Sequence, residues 1–250
     1  MINRAIKLFR HLFLFLALNI SSISFGQYEI PKFPNDNEII KHHGFTLSYS
    51  EQHEQPLWVA YELDALKVKG TIKRSNKFKP DPSISTGSAI LSDYKGSGYD
   101  RGHLAPAGDM KWSKQAMEDS FYMSNISPQV PGFNRGIWKK LESLVRKWAI
   151  ENRKIYITTG PIFSGGEDSI GKNNVTIPRA YYKVVLDYTE PTFKAIGFIL
   201  PNQKSKEHLS TFVYTVDKVE SILGVDFFHE LENDVEEEIE KNYKLIDWGL

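Results

Sequence analysis

The sequence predicts an α+β fold in one domain: a mainly antiparallel sheet covered by helices. Three observations carry this. Runs dense in β-branched and aromatic residues, "KIYITTGPIF" (154–163), "AYYKVVLDY" (180–188) and "FKAIGFILPNQ" (193–203), read as buried strands, the last ending at Pro201. In one amphipathic stretch Ile137, Leu141, Leu144, Val145 and Trp148 recur at three- and four-residue steps, so one helix face should pack inward. Strands and helices also alternate without regular βαβ repetition, internal repeats or a Pro/Gly-rich linker.

Taken in order, residues 1–26 place Arg4, Lys7 and Arg10 before an apolar run from Leu12 to Ile20, then the small residues Ser24 and Gly26. That is the order of a cleavable signal peptide, and the run is short for a membrane span, which needs about 20 residues. The expectation is a protein secreted or held in a periplasm, its mature domain spanning 27–250. A short N-terminal anchor is the alternative.

Residues 57–72 read as one or two strands. The Ser-, Gly-, Pro- and Asp-rich segment from Ser75 to Tyr99 reads as an extended surface loop, and loops of that length are commonly functional. Residues 111–125 have helical content. Pro131 and Gly132 then interrupt the chain before the amphipathic helix, and residues 209–224 read as a strand or loop feeding a short helix.

The chain has no cysteine, so disulfides, thiol nucleophiles and cysteine-bound metals are excluded. With three leader cations set aside, 28 cations face 31 anions, which gives no global attraction for a polyanion. Eight of the acids lie in residues 226–240, without Lys or Arg, and read as a solvated helix packed on the body or as a polyanion mimic over a basic groove.

Two constellations carry chemistry. In "YDRGHLAP" (99–106), Arg101 and His103 are two residues apart, so in an extended segment they face one point, while Gly102 admits a close neighbour. Positive charge nearby disfavours the imidazolium and keeps His103 available as a base. The plainer reading is a histidine with one structural hydrogen bond in a polar turn.

The second constellation comprises Asn125, Asn134, Glu142 and Arg146. On a regular helix Asn134 and Glu142 are two turns apart and border one groove, and Glu142 and Arg146 form an i, i+4 pair. Amide and carboxylate oxygens with water suit Mg²⁺ better than Zn²⁺. A helix N-cap at Asn134 and a surface pair at Glu142 and Arg146 are the alternatives.

The series "YDRGHLAP", "MSNISPQ" and "FNRGIWKKLE", in that order and spacing, resembles the DNA/RNA non-specific endonucleases of the ββα-metal fold, with further likeness in "KRSNKFKPDP", "TGPIF", "IPRAYYKVVLD" and "VDKVESILGVDFFHEL", over residues 55–232. The resemblance implies His103 as general base and Asn134 as ligand of Mg²⁺, Mn²⁺ or another divalent cation. It implies Glu142 acting on a water of that site and Asn125 ordering it. Arg74, Arg101 and Arg146 would contact phosphate, with Arg74 the loosest match. Asp100 would be structural, since an acid at the reacting phosphate opposes the incoming anion. The implied activity is cleavage of DNA and RNA, leaving 5′-phosphates with little sequence preference.

Lys111, Lys114, Lys139, Lys140 and Lys147 either extend a basic track or are solvated, while Tyr94 and Trp112 read as packing. The rivals are a non-catalytic nucleic-acid-binding relative and a metal phosphodiesterase for small or lipid diesters.

Overall fold

A computed structural model describes residues 26–34 and 38–250; the expected signal peptide lies outside the described residues. Seven antiparallel strands form the main sheet in the order β1-β2-β3-β6-β9-β10-β11. These are β1 (Glu38–Lys41), β2 (Thr46–Ser50), β3 (Gln55–Asp64), β6 (Lys154–Ile162), β9 (Ala180–Asp187), β10 (Lys194–Pro201) and β11 (Val213–Tyr214). The antiparallel α+β expectation holds, and β6, β9 and β10 form where the apolar runs placed them. Residues 57–72 contribute a single strand, because Asp64 caps the short helix α1 (Ala65–Val68) through the amides of Leu66 and Lys67.

Both sheet faces are covered. Alternation along β3 and β9 sends Val59, Tyr61, Leu63, Tyr181 and Val185 to one face, where they pack with Ile137 and with Leu141, Val145 and Trp148 of helix α4 (Lys139–Glu151). Trp58, Ala60, Tyr182, Val184 and Leu186 pack on the other face with α5 (Val216–Leu223) and α6 (Asn233–Lys241). After α6 the chain returns to the α4 side, where the Trp148 indole donates to the Trp248 carbonyl at 2.8 Å.

A separate two-stranded ribbon, β4 (Asp100–His103) and β5 (Ile126–Gln129), is anchored on the α4 face. Ser127 donates to Gln55 of β3, and the Tyr181 hydroxyl donates to the Pro128 carbonyl at 2.9 Å. Pro131 and Gly132 begin the following helix rather than interrupt it; a first-turn proline lacks only an amide that would have no helical partner.

The Ser75–Tyr99 segment is not simply a surface loop. It contains α2 (Leu91–Tyr94) and is fastened by two buried carboxylates. Asp81 accepts from His42 at 2.8 Å and from Ser124, while Asp93 accepts from the amides of Ile90 and Lys172. Between the ribbon strands lie α3 (Lys114–Asp119) and one 3-10 turn, Met123–Asn125. The last pair, β7 (Ser169–Ile170) and β8 (Val175–Thr176), closes a hairpin. No helix among the described residues is long and apolar enough to cross a membrane.

Candidate active site

His103 ends β4 with its ring between Phe78 and Phe121, centroids 5.5 and 4.8 Å away. It is 7% exposed, and its Nε2 is enclosed without a hydrogen-bond partner among the described residues; Nδ1 is not enclosed in this way. Burial foremost, then the charges of Arg74 and Arg101, pushes the imidazole down to about 3. The ring is therefore neutral at pH 7 and retains an unprotonated nitrogen.

Arg101 is exposed on the same ribbon, its guanidinium 4.4 Å from the Phe78 ring centroid, so both side chains flank Phe78 as the extended backbone requires. Arg74 stands over Phe121 at 4.9 Å. Gly102 leaves room for this chain's own Gln129: a Cβ there would lie 2.1 Å from the Gln129 amide carbon.

Asn125 is fully buried and entirely spent on structure. Its Oδ1 accepts from the Ala105 amide at 2.9 Å, and its Nδ2 donates to the carbonyls of Ala105 and Ser120. It fixes the chain just beyond His103 and is not free to touch substrate.

The helix carrying Asn134 and Glu142 is not regular. Phe133–Trp138 form a π-helical turn with non-helical torsions at Gly136 (φ −105°, ψ −109°) before α4 proper, so the expected two-turn phase does not apply. Such turns commonly re-aim side chains at functional sites. Asn134 is not an N-cap; its Nδ2 donates to Asp100 Oδ2 at 2.9 Å. Asp100 also binds the Arg135 guanidinium through both oxygens, which holds its carboxyl below the ordinary range despite partial burial. Its oxygens are thus engaged by Asn134 and Arg135. The amide nitrogen is thereby committed, while the Asn134 carbonyl oxygen has no hydrogen bond among the described residues; Asn134 lines a cleft with Arg101, Phe78 and Tyr99.

Arg146 does not bond Glu142. Its Nη1 donates to buried Asp109 at 2.7 Å and its Nη2 to Ser143 at 3.1 Å, while Asp109 accepts also from the Tyr61 hydroxyl at 2.9 Å. The guanidinium is thus tied back and is a weaker candidate for phosphate than Arg74 or Arg101. Glu142 has no hydrogen bond within the described protein, and burial followed by the Asp109 charge raises its carboxyl, against Lys183, Arg146 and Arg74. Lys183, 1% exposed on β9 with its Nζ unpartnered, is drawn down by burial and held up by Glu142 and Asp109.

Asp109 and Lys183 were missed by motif reading. The signal for Lys183 was in the alternation: Tyr181, Lys183 and Val185 share an inward face, where an unpaired lysine is out of place.

Of the expected basic track, Lys111 and Lys114 border clefts shared with Arg74, whereas Lys139, Lys140 and Lys147 lie exposed on α4 and Lys147 pairs with Glu151 at 3.4 Å. Lys73, Lys77 and Lys79 supply the remainder beside Arg74 and Lys114. Tyr94 is buried and Trp112 stacks on His43, so both are packing residues.

The family model for DNA/RNA non-specific endonucleases matches residues 26–234. The chain belongs to that family. Membership makes it a hydrolase acting on DNA and RNA. Nuclease C1 of Cunninghamella echinulata var. echinulata is 37% identical over 212 residues, covering 78% of this chain and 84% of the relative. The mitochondrial nuclease EXOG of Danio rerio is 34% identical across 83% of this chain, which spans 65% of that protein. A crystal structure of the EndoG/EndoGI complex matches with TM-score 0.75 and 32% identity, covering 80% of this chain and 89% of that one.

This endonuclease family is divalent-metal-dependent. The residues here fit a hard cation: the Asn134 carbonyl oxygen and the Glu142 carboxylate are oxygen donors without protein partners, and no thiol competes.

Proposed function

We propose that the protein is an exported, Mg²⁺-dependent endonuclease that hydrolyses DNA and RNA with little sequence preference, using His103 as general base. The observation that carries this is a neutral imidazole with an unprotonated nitrogen, two arginines around it and the Asn134 carbonyl in the adjoining cleft. Export rests on the order of charge, apolar run and small residues in 1–26.

His103 takes a proton from water as the water oxygen attacks phosphorus in line with the departing 3′ oxygen. The phosphorus–O3′ bond breaks, and the products are a 5′-phosphate and a 3′-hydroxyl. Arg101 and Arg74 donate to phosphate oxygens where negative charge accumulates. Asp100 holds Asn134 in place, and Asn125 holds the backbone behind the base. Asn134 would hold a divalent cation, which would supply positive charge to offset the negative charge developing in the transition state. None of these contacts reads a base edge or requires a 2′-hydroxyl, which supports action on both nucleic acids.

The test is incubation of the folded protein with supercoiled plasmid and with RNA, in Mg²⁺ and in chelator. Cleavage of both, lost in chelator, is expected; no metal-dependent cleavage of either overturns the proposal. Asn134→Ala should raise the Mg²⁺ needed for half-maximal rate by about tenfold or more, and an unchanged Mg²⁺ dependence would remove Asn134 from the metal site.

A further inference from the structure

The acidic run from Asp226 to Glu240 is not uniformly solvated. Ile239 packs α6 onto the sheet face away from His103, and the same turn buries Glu240 to 6% exposure. On neighbouring α5, Asp217 and Glu220 stand one turn apart. One carboxylate oxygen from each of Asp217, Glu220 and Glu240 lies within 4.8 Å of the others.

Asp217 and Glu220 alone are an ordinary acidic pair on one helix. Glu240 is the separate observation: it arrives from another helix, and its Oε1 is enclosed with no hydrogen-bond partner among the described residues. Glu236, one turn earlier on α6, likewise has an enclosed, unpartnered Oε1. No Lys or Arg among the described residues pairs with any of the three; Lys241, next in sequence, is taken by Glu237 at 2.8 Å. Glu220 spends one oxygen on the Phe227 amide at 2.7 Å and keeps the other.

We propose that Asp217, Glu220 and Glu240 bind a hard divalent cation of the Ca²⁺ class that fastens α6 to α5. Ligand oxygens bound to Ca²⁺ at about 2.3–2.6 Å stand up to about 5.2 Å from one another, so oxygens within 4.8 Å of each other are close enough to be gathered by one such ion. Mg²⁺, with bonds of about 2.1 Å and strict octahedral demands, fits this three-carboxylate frame less well. Water completes the shell.

Amide hydrogen exchange of the folded protein in chelator and in Ca²⁺ tests the site where it lies. Exchange across Asn233–Lys241 should slow about a hundredfold at a Ca²⁺ concentration ~100 times Kd. Asp217→Asn and the double variant Glu220→Gln/Glu240→Gln should lose this response. Exchange in β4 and α4, at the family's own metal site, reports separately. Unchanged α6 exchange in Ca²⁺, an equal response in folded Asp217→Asn, or a response to Mg²⁺ with none to Ca²⁺ would overturn the assignment.

Discussion

His103 is defined by what its burial does to a proton. Its folded imidazole lies near 3, against an ordinary value of about 6.5. A depressed pKa contributes stability that is fully present above about pH 6.5 and is lost as pH falls toward 3. The ring should therefore show neutral-imidazole nitrogen shifts by NMR at pH 5, and a ring titrating above pH 6 would contradict the enclosure described here. His103, Arg101 and Asn134 could be singled out from motif order, because the groups proposed to react cluster in short segments. Asp109 and Lys183 could not, since they reach Glu142 and Arg146 from distant segments and acquire meaning only when packing buries them together. Asp109→Ala strands the Tyr61 hydroxyl and the Arg146 guanidinium, and should cost about 3 kcal/mol in denaturant unfolding. A loss under about 0.5 kcal/mol would show that the buried pair does not anchor α4.

At the scale of elements, hydrophobic spacing located α4 and the strands β6, β9 and β10 because each buries a continuous face. It did not reveal the π-helical turn, since Gly136 departs from helical torsions without disturbing the spacing of Ile137, Leu141 and Val145. Nor did composition reveal that Ser75–Tyr99 is pinned: Asp81 and Asp93 look solvated until His42 and the amide of Lys172 reach them. The tail offers an element-level test. Trp248 is 2% exposed and packs edge-on against Trp148 with centroids 4.7 Å apart. Trp248→Ala should cost about 3–5 kcal/mol while leaving the metal requirement of cleavage unchanged, checked by thermal melts beside plasmid assays. A tail that truly frays would show no change in melting.

Across the whole molecule, the sheet separates two electrostatic regions. The α4 face carries the ribbon and the arginines, with the lysine-lined clefts beside Arg74; the opposite face carries α6 and its acids. Composition averaged these regions to a balance that gave no sign of polyanion binding. The separation also places the acidic helix across the sheet from the groove, so it packs on the body rather than covering the site. Neutralising exposed Glu237 and Glu238 to Gln should accordingly leave the salt dependence of cleavage unchanged; a flattened dependence would restore the mimic. The central claim is that His103 moves the proton, and cleavage by His103→Ala in saturating Mg²⁺, with native fold verified by circular dichroism, tests it most directly. Turnover should fall about 10²–10⁴-fold and be partly restored by added imidazole, whereas wild-type turnover by the folded variant would exclude His103 as the base.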